Sequence, residues 1–365
     1  MLFVGVMTGT SVDGLDLALL DLPTDLKPQA ARTTPFPPSL RRRLVALSSA
    51  ESDEIFRMGE AHIELGTFIG STCLEFVREL GLAPSDIRAI GSHGQTIRHH
   101  PNADSPFSIQ IGSGHVIAEQ TGIDVVADFR ARDIAAGGQG APLVPNYHYE
   151  LFTHEERVRV IVNIGGIANI SILTPESASA TGFDTGPGNA LLDAWIQECR
   201  DKPFDLGGSW AMSGEIHEPL LERLLRDPYY EANPPKSTGK EHFNLTYLHD
   251  HIADFPNIAQ ADVQATLIEL TTQSITSAIE REAAECVDVI VCGGGRQNDY
   301  LMTRLKEMNT KRAVVTCESL GIDGDAIESA AFAYLAWQFL ERLPSNQPAV
   351  TGAVGLRVLG CLYPA

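Results

Sequence analysis

Apolar residues along the chain fall into short runs broken by polar, glycine-rich turns, the rhythm of buried strands alternating with helices. Leu2–Met7 is a continuous apolar run that predicts a strand covered on both faces. Leu15–Leu22 predicts a second strand, with Leu15, Leu17 and Leu19 alternating on one face. The turn between them, Thr8–Gly14, carries glycines, adjacent hydroxyls and one carboxylate. Such a tip is either an ordinary hairpin turn or a cradle for phosphate oxygens; the stretch alone leaves both readings open.

Further along, Thr24–Ser39 is rich in proline and predicts a surface loop. Leu40–Ser49 and Ser52–Leu80 predict helices, the second from the spacing of Ile55, Met58, His62, Leu65 and Ile69. Ile87–Ser92, Phe107–Ile111 and Val125–Asp128 predict short strands, with a helix over Gly114–Thr121. Val158–Ile164, the pair Gly165-Gly166 and a strand carrying Ile170 and Ile172 then repeat the opening theme, which suggests a duplicated domain. In Ala180–Ala194 a strand is expected to end at Phe183-Asp184, and a helix to start at Gly186–Asn189 with Pro187 in its first turn. Asp184 then sits at a strand-to-helix junction. Asp201–Asn257 reads as irregular and proline-broken, with Pro234–Lys240 a lid or a partner surface. Asp262–Cys286 predicts a long helix. Val287–Cys292 predicts a buried strand, followed by Gly293-Gly294-Gly295 and a helix from Asn298 to Met308. Val314–Thr316 is a last strand of this half. Asp325–Leu343 is an apolar helix with Asp325 and Glu328 in its first turn, where the helix dipole favours them in any case. Ala353–Leu362 predicts a final strand returning to the first domain.

Composition narrows the function. A chain of 365 residues can hold two domains. Its formal charge of −20 argues against a nucleic-acid or anionic membrane surface. It leaves room for a nucleotide held by backbone amides and a divalent cation. Cys73, Cys199, Cys286, Cys292, Cys317 and Cys361 show no CxxC spacing and read as scattered thiols. The first residues lack a basic leader, and no apolar run is long enough to span a bilayer, so the cytoplasm is the expected compartment.

Three regions carry candidate chemistry beyond the glycine turns. Ser92-His93-Gly94-Gln95-Thr96 follows a strand's carboxyl end, where open α/β sheets place ligands. Ala127–Pro145 carries Arg130, Arg132 and Asp133 beside Gly137-Gly138-Gln139-Gly140 and reads as the end of the first domain and the floor of a cleft. Arg41-Arg42-Arg43 is either a solvated helix face or a phosphate patch. The sequence has no G-x-x-x-x-G-K-[ST]; Leu191 breaks a G-x-G-x-x-G pattern after Gly186; and there is no H-E-x-x-H. What remains is glycine turns after buried strands at Gly9–Gly14, Gly165-Gly166 and Gly293–Gly295, a layout that resembles the actin-like, sugar-kinase and heat-shock ATPase superfamily.

The resemblance sharpens to one family. Gly9–Asp16, Ser92–Thr96, Ala127–Pro145, Asn163–Asn169, Gly182–Asn189, Pro234–Gly239, Gly293–Gly295 and Thr351-Gly352-Ala353 together resemble the anhydro-N-acetylmuramic acid kinases, from one end of the chain to the other. One mild departure is Ser329, where alanine is expected after Glu328. The resemblance implies two similar α/β domains of the actin-like (RNase H-like) type flanking a nucleotide cleft. Residues 1–132 with about 346–365 would form the first, and 133–345 the second. It implies ATP and Mg²⁺, and 1,6-anhydro-N-acetylmuramic acid as substrate, opened by water at C1 and phosphorylated on O6. It admits a homodimer. In this scheme Asp184 is the base, with Glu328 and Arg130 assisting. Gly9, Thr10, Ser11, Val12, Asp13, Gly14, Leu15 and Asp16 hold the phosphates, and Asp13 or Asp16 reaches Mg²⁺. Gly165, Gly166, Gly293, Gly294 and Gly295 complete the nucleotide site; His93, Gln95, Arg130 and Asp133 meet the sugar. The residues themselves also admit an ordinary sugar or acid kinase, or an ATP-driven conformational protein of the actin or chaperone kind.

Overall fold

The computed structural model describes residues 1–9, 12–47, 53–175 and 180–365. The chain forms two compact units, Met1–Leu151 with Asp325–Ala365, and Phe152–Gly324.

The first unit is built on β1 (Leu2–Met7), β2 (Gly14–Asp21), β3 (Asp25–Pro35), β4 (Ile87–Ser92), the small hairpin β5 (Gln95–His100) and β6 (Phe107–Ile111), and β7 (Val125–Ala127). Its main sheet runs from the terminal strand Cys361–Tyr363 through β7, β4, β1 and β2 to β3. β2 and β3 are antiparallel to their neighbours, whereas β4 lies parallel to β1 and β7 parallel to β4. On one face Val4, Val6, Leu15 and Leu17 pack with Leu65, Ile69 and Phe76 of the helix Glu54–Glu79. On the other lies the helix Ile327–Leu340, whose residues from Ser329 to Ala336 are all buried. Two glycines allow it to sit so close: a Cβ on Gly5 would fall 1.8 Å from Ser329 O, and one on Gly91 2.0 Å from Phe332 O. Ser329 itself is fully buried, its hydroxyl satisfied by Ala326 O at 3.0 Å, so the alanine-to-serine departure costs no unpaired group.

The second unit has β8 (Arg159–Ile164), β9 (Ile167–Leu173), β10 (Thr181–Pro187), β11 (Asp288–Cys292) and β12 (Ala313–Thr316), in the order β10-β9-β8-β11-β12. Here too three antiparallel strands are followed by two parallel ones. The order and polarity equal β3-β2-β1-β4-β7 of the first unit, so the duplication inferred from two hairpins extends to whole sheets. No helix among the described residues is long and apolar enough to cross a membrane.

Several expectations change. The proline-rich stretch is not a loop: Asp25–Pro35 is the edge strand β3, a place where Pro28 deprives no neighbour of a hydrogen bond. Its burial alternates along its length, but with Arg32 and Thr34 on the inner side the sequence hides that alternation. Pro187 starts no helix; it ends β10, also an edge strand, and the helix begins at Ala190. Asp201–Asn257 contains the helices Glu218–Leu225, Pro228–Glu231 and Leu245–Ile252. Pro219 and Pro228 lie in first turns, and His217, Asp227 and Asn244 cap the three N-termini, so these prolines begin helices instead of breaking them. The tail is a strand only over Cys361–Tyr363. Residues 133–151 and 325–345, expected with the second domain, fall in the first unit. The cause is packing of Ile327–Leu340 on β1, β2 and β4, and the bonds from Asp133 to Asn346 and Thr351.

Candidate active site

In the first unit the turn between β1 and β2 is gripped from several sides. Thr10 and Ser11 lie outside the described residues. The buried Thr8 hydroxyl donates to Gly94 O at 2.8 Å, and Gln95 Nε2 donates to Gly9 O at 3.3 Å. Val12 has φ +56°, a left-handed conformation that a β-branched residue adopts only under constraint. Arg41 supplies part of that constraint, donating from Nε to Val12 O at 3.0 Å and from Nη2 to Asp13 Oδ1 at 3.1 Å. Of the expected phosphate contacts, Val12 and Leu15 bury their side chains in the core, so only their backbone is left to face a ligand. Gly14 is required by β3, since a Cβ there would lie 2.7 Å from Thr34 O. Asp16 Oδ1 accepts from Thr33 Oγ1 at 2.6 Å.

At the carboxyl end of β4, three buried polar atoms have no partner: Ser92 Oγ, His93 Nδ1 and Gln95 Oε1. Orphans of this kind are rare in a folded chain and mark places where a ligand or water completes the set. Arg130 donates to His93 Nε2 from Nε at 3.1 Å and from Nη2 at 2.9 Å, and from Nη1 to Gly140 O at 2.7 Å. A guanidinium is a donor only, so His93 Nε2 is the acceptor and its proton sits on Nδ1. Burial, then the Arg130 charge, push the imidazole pKa well below its ordinary value. His93 is therefore a neutral donor clamped in one orientation, its ring 4.7 Å from that of Phe332. Burial lowers Arg130 to about 10, opposed by the carboxylates of Glu328 and Asp133, so it stays charged at neutral pH. Glu328, half-buried in the first turn of Ile327–Leu340, thus belongs to the same electrostatic group.

Asp133, expected to meet the sugar directly, is 0% exposed. Its Oδ2 accepts from Gly140 N at 2.8 Å, and its Oδ1 from Asn346 Nδ2 at 2.9 Å and Thr351 Oγ1 at 2.8 Å. With both oxygens occupied by the chain, it fixes the Arg130–Gly140 segment and has no surface left for a ligand.

In the second unit Asp184 lies within β10, where the register with β9 shifts between Asp184 and Gly186. Tyr229 donates from its hydroxyl to Asp184 O at 2.7 Å, Asp184 N donates to Lys236 O at 3.2 Å, and Thr238 N donates to Asp184 Oδ2 at 3.0 Å. Burial raises the carboxyl pKa to about 6; the Thr238 amide opposes this, Glu241 adds to it and Lys236 opposes it. Lys236 is lowered to about 8, chiefly by burial. Its Nζ donates to Tyr229 O at 2.8 Å and lies 4.5 Å from the centre of the Tyr229 ring. Tyr229, Lys236 and Thr238 escaped the sequence reading. The signal for the two residues of the Pro234–Gly239 stretch is its place among the stretches that resemble the family, which names no role for Lys236 or Thr238; Tyr229 carries none.

The glycine turns of the same unit converge. Gly188 N donates to Gly166 O at 3.0 Å, and Asn189 N to Gly165 O at 2.8 Å, so the β8–β9 turn sits on the start of the helix Ala190–Arg200. Gly293 and Gly295 are packing glycines, since a Cβ would lie 2.4 Å from Asn163 Oδ1 and 2.3 Å from Ile164 Cγ2 respectively. Gly165 and Gly294 are not wedged: a built Cβ would make only an ordinary contact, with Ile167 O at 3.6 Å and Asn189 Nδ2 at 3.9 Å respectively. Bare backbone beside a helix start suits the close approach of a phosphate.

Among the described residues no cluster of three His, Cys, Asp or Glu side chains is arranged to hold a metal. The family model described as "Anhydro-N-acetylmuramic acid kinase" matches residues 1–365. Curated relatives carrying that same name come from Pseudomonas putida, Pseudomonas paraeruginosa and Pseudomonas syringae pv. tomato. Each is 46% identical, and the alignments cover 100% of this chain and 99% of each relative. A full-length family match and full-length relatives at this identity establish that the chain belongs to the anhydro-N-acetylmuramic acid kinase family.

Proposed function

We propose that the protein opens the 1,6-anhydro bridge of 1,6-anhydro-N-acetylmuramic acid with water while transferring the γ-phosphoryl group of ATP to O6. The products are N-acetylmuramate 6-phosphate and ADP. A bridged sugar has no free O6 hydroxyl to deprotonate. Water oxygen therefore bonds to C1 as the C1–O6 bond breaks, O6 bonds to the γ-phosphorus, and the bond to the β-phosphate oxygen breaks. One water proton passes to a base and is later released. The observation that carries the assignment is Asp184. It is a half-buried carboxylate whose pKa of about 6 matches a base working near neutral pH, and one of its oxygens is committed to Thr238 N. The other oxygen is the one assigned to the water, as in an inverting glycosidase.

Gly165, Gly166 and Gly294 are assigned to the phosphates. The Gly9–Asp16 turn is assigned the same kind of contact through its backbone. Arg130 and Glu328 form a charged pair for the sugar, with His93 Nδ1 as a donor and Gln95 Oε1 as an acceptor. Mg²⁺ is compatible with the residues present: it takes phosphate oxygens and waters plus one or two carboxylates, and Asp13 and Asp16 offer hard oxygens flanking the first turn. When bound, the ion would screen phosphate charge. The need for ATP supports a cytoplasmic site of action.

Mass spectrometry of the product formed from ATP and the anhydro sugar in labelled water tests this reading. The expected product carries one phosphoryl group, one added water and the label at C1. A phosphorylated product that keeps the anhydro bridge would refute it.

A further inference from the structure

We propose that Lys240 is the cation that meets the terminal phosphate of the nucleotide, delivered by the same short segment that holds the base. This rests on the reading of Gly165-Gly166 as a phosphate turn. A Cβ built on Gly166 would come 3.4 Å from Lys240 Cε, so the lysine stem crosses the face that the glycine leaves bare. Backbone amides supply that turn with partial charge only. Lys240 brings a full positive charge to it, in a chain of net charge −20.

The segment around Lys240 is anchored at both ends. Upstream, Lys236 O accepts from Asp184 N at 3.2 Å and Thr238 N donates to Asp184 Oδ2 at 3.0 Å. Downstream, His242 N and Phe243 N both donate to Gly239 O at 3.1 Å, and Asn244 Nδ2 donates to Lys240 O at 3.1 Å while Asn244 caps the helix Leu245–Ile252. The two lysines of this stretch differ in commitment. Lys236 Nζ donates to Tyr229 O at 2.8 Å and Tyr230 O at 3.3 Å. Lys240 is exposed, and among the described residues its ammonium makes no hydrogen bond or ion pair. One segment thus fixes the carboxylate that receives the water proton and hangs a free cation over the turn assigned to the phosphates. A cation aimed where charge develops on the transferring group lowers the barrier without itself reacting.

Lys240→Met and Lys240→Arg test the assignment. Equilibrium binding of ATP and of ADP is measured by calorimetry, and turnover by product mass. In Lys240→Met, kcat/KM for ATP is expected to fall about 10²-fold. ATP affinity should drop more than ADP affinity, Tm should be unchanged, and Lys240→Arg should recover most of the loss. Equal weakening of ATP and ADP, wild-type behaviour in Lys240→Met, or no recovery in Lys240→Arg would each overturn the proposal. The binding comparison needs no sugar. It decides the role of Lys240 even if the wild-type protein binds ATP and leaves the sugar untouched, an outcome that would count against the function proposed above instead.

Discussion

The two hairpin turns, β1–β2 and β8–β9, occupy equivalent positions in sheets of the same strand order, yet they are held in different ways. The first is braced by side chains: Thr8, Gln95 and Arg41 all bond to it or from it, and Val12 sits in a left-handed conformation. The second is two glycines whose carbonyls receive the amides at the start of the following helix, with bare backbone outward. A duplicated scaffold has kept its topology while its chemistry diverged. The first unit carries a neutral histidine locked by an arginine beside unpartnered polar atoms, the features for which these residues are proposed to meet the sugar. The second carries a carboxylate raised toward neutrality, the property for which Asp184 is proposed as the base.

The largest effect that would break this division is at Asp184. Asp184→Asn is expected to lower kcat by about 10²- to 10⁴-fold with the far-ultraviolet circular dichroism unchanged; near-normal turnover would remove Asp184 from the base role. In the wild type, kcat should rise with pH through about 6, because the base works only when ionised. A limb that persists in Asp184→Asn belongs to another group.

The glycines separate packing from binding. Gly5→Ala should cost about 1–3 kcal/mol or more by overpacking, seen as a lowered Tm, because the new Cβ meets backbone of the helix Ile327–Leu340. Gly294→Ala should leave Tm nearly unchanged and raise KM for ATP, since its Cβ meets nothing closer than Asn189 Nδ2 at 3.9 Å. The reverse pattern would put the phosphates elsewhere.

A subtler effect follows from linkage. Asp184 has a folded pKa raised from 3.8 to about 6, so between these values the folded state binds more protons than the unfolded one, and this group's contribution to stability falls as pH rises. Asp184→Asn should therefore melt above the wild type at pH 7.5, with the gap shrinking toward pH 4. A gap that widens on acidification would contradict the direction of the shift. The smallest expected change is in Arg41→Ala, which frees the Val12–Asp13 backbone; ATP affinity should fall a few-fold, with Arg41→Lys intermediate. An unaltered affinity would make the Arg41 contacts irrelevant to the nucleotide.

Much of the fold was legible because its strands are short, buried and bounded by glycine. Leu2–Met7, Ile87–Ser92 and Phe107–Ile111 begin and end where the apolar runs do. The differences at Asp25–Pro35, Pro187 and Asp201–Asn257 share a cause: proline means different things at an edge, in an interior and in a helix's first turn. Pro28 and Pro187 lie in edge strands and Pro219 in a helix's first turn, and which of these applies depends on neighbours distant in sequence. Residue types single out His93, Arg130 and Asp184 as candidates, whereas Asp133, expected as a ligand contact, is placed inside by its bonds to Asn346 and Thr351.

By itself the sequence determined the strand runs, the glycine turns, the duplicated plan and the family. These rest on local pattern and on motif order, which survive without coordinates. Tertiary structure alone decided which glycines are bare and which are wedged against a neighbour, which nitrogen of His93 carries the proton, and that Lys236 and Thr238 reach back to Asp184. It also decided the pKa of Asp184. A carboxylate's proton affinity depends on what surrounds it in space, and no run of residues along the chain specifies that.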